Sequence, residues 1–115
     1  MTMADIASAP RKFWINTYHG AGEVMVGAHG DLDLSSVPRL EGALHRVIET
    51  DGYRDIIVDL ADVQVIDVSG ISVLFKWSQT LRAHGVDLVL SAPSPSALVA
   101  LRGSGLYEMF TITRT

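Results

Sequence analysis

IDVSGISVLF, residues 66–75, decides how the rest of this chain is read. Its first residues close an apolar run of the kind that forms a buried strand. From Gly70 onward, Ile71, Leu74, Phe75, Ser78 and Leu81 recur at the spacing of one helical face. An acid, a serine and a glycine thus stand where a strand gives way to a helix. Immediately upstream, DIIVDL (Asp55 to Leu60) is too short for a helix and apolar on both faces, as a central strand covered on both sides should be. The helix is expected from near Gly70 to His84, with Ser69 as its N-cap and Gly85 as its stop.

Further out, Phe13 to His19 and Glu23 to Gly30 alternate in polarity about the turn-like GAG and predict a hairpin. Val37, Leu40, Leu44, Val47 and Ile48 predict a helix from Ser36 to about Asp51, with Pro38 in its first turn and Gly52 just past its end. Val86 to Ser91 repeats the buried-strand pattern. Ser94 and Pro95 open a third helix as N-cap and first helical residue, and Phe110 to Thr113 reads as a last short strand. The order β-β-α-β-α-β-α-β places the chain in the α/β class: a single mixed β-sheet with an N-terminal hairpin, then parallel strands, packed with helices. In such sheets the loops at the carboxyl ends of the strands carry function, here those after Gly30, Leu60 and Ser91.

Two of these loops hold acids. Asp31 and Asp33 lie between the second strand and the first helix, and Asp67 lies beside Ser69 between the third strand and the second helix. If the two strands are neighbours, the acids and the serine share one edge. Asp33 and Asp31 also suit plain turn positions near a helix N-terminus, where carboxylates are favoured by about 0.3 to 1 kcal/mol. A hydroxyl at a helix start sits near backbone N–H donors and would hold an added phosphate well. Gly70 permits a tight turn or a close approach of another backbone. Val68 fits either a contact surface or a site packed under the helix.

Other chemistry finds little support. The G-x-S-x-G elbow of a serine hydrolase is missing around Ser69, and no histidine or oxyanion loop is identifiable, so hydrolysis is a remote alternative. The four histidines fall at strand ends or on helices without metal-ligand spacing, and GAG and GSG match neither phosphate-loop nor dinucleotide fingerprints. No metal and no cofactor is expected, and the chain is not expected to be an enzyme.

Composition narrows the classes further. The 115 residues, 48% hydrophobic, suffice for one core, and the absence of cysteine suits a reducing compartment. A net charge of −4 without a basic run argues against a nucleic-acid partner. The N-terminus lacks the pattern of a secretory signal, and no apolar run approaches membrane-spanning length. The expectation is a cytoplasmic protein with no membrane partner. Residues 1–12 are expected to be a flexible lead-in and residues 13–115 the domain.

GDLDLSSVPRLEGAL, VDLADVQVIDVSGISVLF and LRGSGLYEMFTI, in this order, resemble the STAS domain of bacterial anti-sigma factor antagonists. The family's Gly-Glu-Leu-Asp is matched by Gly30 to Asp33, and its Asp-Ser-Ser/Thr-Gly by Asp67 to Gly70. The resemblance implies a cytoplasmic regulator that binds an anti-sigma factor with serine kinase activity and so frees a sigma factor. It implies that the kinase then phosphorylates Ser69 and ends the interaction, with a phosphatase to reverse it. The expected partner surface is Asp31, Asp33, Asp67, Val68, Gly70, Ile71 and Ser72. A phosphate of about −1.5 to −2 charges among these acids should weaken binding by roughly one to three orders of magnitude. Three departures from the family are an Asp at position 31, a Val at position 68, and an end at Thr115 where relatives continue into a further helix. The last leaves a sheet face to be covered by the N-terminal segment or a partner. The alternative function is a STAS subunit of a larger signalling or lipid-transport assembly without a phospho-switch.

Overall fold

The computed structural model describes residues 12–49 and 53–114. The expected lead-in, up to residue 11, and the positions of Asp51 and Gly52 lie outside the described residues. Among the described residues, five strands form one sheet in the spatial order β1-β2-β3-β4-β5. They are β1 (Trp14–His19), β2 (Glu23–Leu32), β3 (Asp55–Ile66), β4 (Asp87–Ser91) and β5 (Thr111–Thr113). Only β1 and β2 run antiparallel; β3, β4 and β5 are added parallel, one after another. The helices α1 (Val37–Ile48), α2 (Val68–Ala83) and α3 (Pro95–Gly103) connect the parallel strands, and a 3₁₀ turn (Tyr107–Met109) precedes β5. Hairpin, order and strand directions are those expected from the sequence.

The core follows the two periodicities. Every second residue of the central strands is buried, among them Val24, Val26, Ile56, Val58, Leu60, Leu88 and Leu90. Onto these pack the buried stripes of the helices: Leu40, Leu44 and Val47 of α1, Leu74, Trp77 and Leu81 of α2, and Ala97 and Leu101 of α3. Across the two long helices, the Glu41 carboxylate accepts hydrogen bonds from Lys76 Nζ (2.9 Å) and Trp77 Nε1 (3.2 Å). His45 meets the Trp77 ring edge-on.

Two strands run further than their sequence suggests. β2 continues through Asp31 to Leu32, and β3 continues past Leu60 to Ile66, so no loop follows Leu60. In the added half of β3 the alternation fails, because its register against β2 slips twice, between Gly27 and His29 and between Gly30 and Asp31. At each slip β3 carries an extra residue, which bends the strand and moves its apolar side chains off a period of two. The Asp59 carboxylate accepts the Ala61 N–H at the first slip (2.9 Å). Pairing with β4 ends at Asp59 opposite Ser91, and the start of α3 takes the vacated edge. There Ser94 N–H donates to Leu60 O (3.4 Å), and the Ser94 hydroxyl donates to Val63 O. Ser94 also caps α3, accepting from Ala97 N, and Pro95 is its first residue, as expected.

Candidate functional site

Parallel pairing of β2 with β3 sets Asp31 opposite Val65 and Leu32 opposite Ile66, so the chain leaves both strands at one edge of the sheet. The ladder extends one step more, with Asp67 N–H donating to Leu32 O (3.2 Å). The two acidic stretches, more than thirty positions apart in sequence, are thereby brought side by side, at roughly the 4.8 Å spacing of neighbouring strands.

Each stretch ends in an aspartate that organises the turn after it. Asp33 Oδ1 accepts from Ser35 Oγ (2.6 Å), Ser35 N (3.0 Å) and Ser36 N (3.2 Å). These bonds, led by that from the Ser35 hydroxyl, hold the Asp33 carboxyl below the usual carboxylate range against an opposing push from burial. The buried Ser36 hydroxyl accepts from Asp33 N–H (2.9 Å) and donates to Asp31 O (2.7 Å), tying the turn back to the strand. Asp33 therefore does the work of a turn residue before a helix. Gly30, just upstream, adopts φ +105, and a Cβ there would stand 2.7 Å from Lys12 O, so both backbone conformation and close approach call for glycine.

At the second stretch the structure corrects the expected cap. α2 begins at Val68, and its N-cap is Asp67, whose Oδ1 accepts from Gly70 N (3.0 Å). Ser69 is the second residue of the helix. Asp67 has the extended backbone of a cap residue (φ −102, ψ −174) and a carboxylate, which suits the positive end of the helix dipole better than a hydroxyl does. Freed from capping, the half-buried Ser69 hydroxyl has no hydrogen-bond partner among the described residues. It stands in the first turn of a sixteen-residue helix, where backbone N–H groups point outward.

The remaining candidates divide. Asp67, Val68 and Ser72 are exposed, and Asp31 and Asp33 are half-buried, all at this edge. Val68, at 79% exposure, is outside the core and does not pack under the helix. Gly70 and Ile71, expected at the partner surface, are both buried. A Cβ on Gly70 would lie 2.6 Å from Leu32 O and 2.9 Å from Leu32 Cγ, so this glycine lets α2 pack on β2. Two residues go unnoticed in the sequence: Leu34 (73% exposed) and Val65 (48%), which with Val68 give the acidic edge three exposed aliphatic side chains. Leu34 carried the signal that marked Val68, an apolar residue in a turn between acids and serines. Val65 carried none, since it lies past the point where β3 loses its alternation.

His29 lies within β2, with Nδ1 2.7 Å from Asp62 Oδ2, Nε2 2.9 Å from Asn16 Oδ1, and its ring stacked on Trp14. Both ring nitrogens are engaged away from Ser69. Among the described residues no group of three or more His, Cys, Asp or Glu could hold a metal ion, and no helix is long and apolar enough to cross a membrane.

The strand-Asp-x-Ser-Gly-helix edge beside a Gly-Asp-Leu-Asp turn is accompanied by a match to the STAS domain family model over residues 15–115. The chain belongs to the STAS domain family. Its fold is similar to that of an anti-sigma factor antagonist from Mycobacterium paratuberculosis (23% identity, 94% of this chain and 91% of that one, TM-score 0.82). It is also similar to the Bacillus cell fate determinant SpoIIAA in its phosphorylated form (21% identity, 88% and 90%, TM-score 0.64). A sulfate transporter family protein from Wolinella succinogenes shares the fold as well (26% identity, 83% and 79%, TM-score 0.72). The fold thus occurs in proteins of more than one described role, and it is the site that must discriminate among them.

Proposed function

We propose that this STAS domain is an anti-sigma factor antagonist: it binds an anti-sigma factor with serine kinase activity, releases the sigma factor, and is switched off by phosphorylation of Ser69. The observation that carries the proposal is the Ser69 hydroxyl itself. It has no partner among the described residues, lies in the first turn of α2 after an aspartate cap, and is at the edge that carries the exposed Leu34, Val65 and Val68. A hydroxyl in this setting is available to an incoming phosphoryl donor without breaking any bond of the fold. The similarity to a protein known in a phosphorylated form supports the same reading.

In this proposal the partner surface is Asp31, Asp33, Asp67, Val68 and Ser72, extended by Leu34 and Val65. The aliphatic side chains supply the area buried on binding, and the acids set its sign. A phosphate on Ser69 adds about −1.5 to −2 charges next to Asp67 and desolvates poorly against an apolar contact, so the complex dissociates. A phosphatase restores the binding form. The site is a cytoplasmic one in this reading, since both kinase and ATP are there.

The test is affinity purification of the tagged chain from its host, as wild type, Ser69→Ala and Ser69→Asp, with mass spectrometry. An anti-sigma factor kinase should accompany the wild type and the alanine variant and be lost from the aspartate variant, and phosphate should map to Ser69. Phosphate on Ser72, or a kinase retained by Ser69→Asp, would refute the switch. The likeness to the Wolinella transporter protein favours a second reading, a STAS subunit of a larger assembly. Membrane-transport or signalling-complex subunits in all three purifications would establish it.

A further inference from the structure

We propose that the face of the sheet turned away from the helices docks an amphipathic helix of a partner protein, one whose apolar stripe is flanked on both sides by Lys or Arg. The sequence of β3 suggests cover on both faces, but the helices supply it on one. The strands follow one another in chain order, and right-handed crossovers between successive parallel strands then put α1, α2 and α3 on the same side. Burial agrees. Val24, Val26, Ile56, Val58, Leu88 and Leu90 turn toward the helices and are buried, whereas Met25, Ile57 and Val89 between them turn the other way and are only half-buried.

Register sets these residues in one line. Tyr18 is opposite Met25, Met25 opposite Ile57 and Ile57 opposite Val89, so an apolar row crosses four strands. Tyr18, at its β1 end, is 61% exposed. Two residues earlier along the strands, Glu23, Asp55 and Asp87 stand opposite one another in a row of their own. On the other side are Asp59, two residues after Ile57, and Asp62, which bonds to His29. No Lys or Arg occupies a strand position on this face, and among the described residues none forms an ion pair with Glu23, Asp55 or Asp87. Like charges directly opposite one another on neighbouring strands oppose folding, so this acidic row is kept at a cost to the sheet.

The pattern selects the occupant. Two residues along a strand span about 6 to 7 Å, so the acids on the two sides of the apolar row are about 13 Å apart, close to the width of a helix with its side chains, about 10 to 12 Å. A helix can set cations on both sides of one apolar stripe. An extended segment cannot, because its side chains point only toward the sheet or away from it. The acids require those flanks to be basic. A second copy packed through the same face would set its acids against these, and like charge opposes it. The face shares no residue with the Ser69 edge, and Met25 is six positions from Asp31 along β2, about 20 Å, so the two proposals stand or fall separately.

The probes are two fluorescein-labelled amphipathic peptides added to the full chain, each with a leucine stripe, flanked in one by lysine and in the other by glutamate. Binding is followed by anisotropy and by amide and methyl NMR. The lysine peptide should saturate, the glutamate peptide should bind at least tenfold more weakly, and the largest shifts should fall on Met25, Ile57 and Val89. Asp55→Lys combined with Asp87→Lys should weaken the lysine peptide at least tenfold with Tm unchanged or raised, since it breaks up a row of like charge. Ile57→Glu should abolish binding, and the rim variant carries the test if Ile57→Glu lowers Tm. The proposal is overturned by absence of saturable binding at millimolar peptide, by equal binding of the two peptides, by unchanged affinity in the rim variant, or by shifts centred on the Asp33 to Ser72 edge. Contacts from residues before Lys12 to Met25, Ile57 or Val89 in the free chain would also overturn it and assign the face to the chain itself. A dimer formed through this face would overturn it in favour of a second copy.

Discussion

The Gly70 N–H is satisfied by the Asp67 carboxylate, and the Ser69 side chain takes no part in that bond. Asp67→Ala should therefore lower stability by about 1 kcal/mol, the usual worth of an N-cap. Ser69→Ala should stay within about 0.5 kcal/mol of wild type. Urea denaturation of the two variants tests this; equal losses would return the capping role to Ser69. The same separation applies to the next two positions. Gly70→Ala forces a methyl to 2.6 Å from Leu32 O and should cost about 1 to 3 kcal/mol, visible as a lowered Tm. Val68→Asp, on a side chain 79% exposed, should leave Tm unchanged and abolish capture of the proposed partner. A drop in Tm for Val68→Asp would mean that its packing had been misjudged.

Between elements, α1 and α2 are joined at Glu41, whose carboxyl is held below the usual range chiefly by the hydrogen bond from Lys76, with a smaller contribution from Trp77 and an opposing one from burial. A carboxyl with a lower pKa in the folded than in the unfolded state makes the unfolded state the better proton binder as pH falls. Its contribution is complete above the unfolded value, near 4.3, and is lost as pH drops through the folded one. Asp33 acts in the same direction at the β2–α1 turn. Glu41→Gln should accordingly flatten the loss of stability between about pH 5 and 3, measured by urea titrations at stepped pH. An unchanged slope would show that the clasp contributes nothing to folding. The bent end of β3 is a second joint between elements, since α3 starts on the edge that β4 gives up there.

Taken whole, the sheet has a centre and two unequal margins. β2 and β3 are each flanked by a strand on both sides, whereas β5 is a three-residue strand with two exposed residues. Hydrogen exchange should therefore be slowest for the amides of Val24–Ala28 and Ile56–Leu60 and fastest, among strand amides, for Thr111–Thr113. Equal protection in β5 and β3 would contradict this gradient. The Ser69 edge lies across the ends of β2 and β3.

By itself the sequence determined the order of elements, the initial hairpin and the parallel continuation, and it placed the two acidic stretches at one edge only on condition that their strands are neighbours, which the sheet order supplies. Those follow from periodicities of two and 3.6, which each segment expresses locally, and from the narrow choice of connections between alternating strands and helices. Tertiary structure alone decided the second half of β3, because an extra residue at each slip of register erases the alternation by which a strand is recognised. It decided the cap as well: Asp67 and Ser69 are both good capping residues, and only the continuation of the ladder from Leu32 O to Asp67 N–H fixes where the strand stops and the helix starts. It buried Gly70 and Ile71 and exposed Leu34 and Val65, since whether an apolar residue near a helix start faces the core depends on what packs across from it.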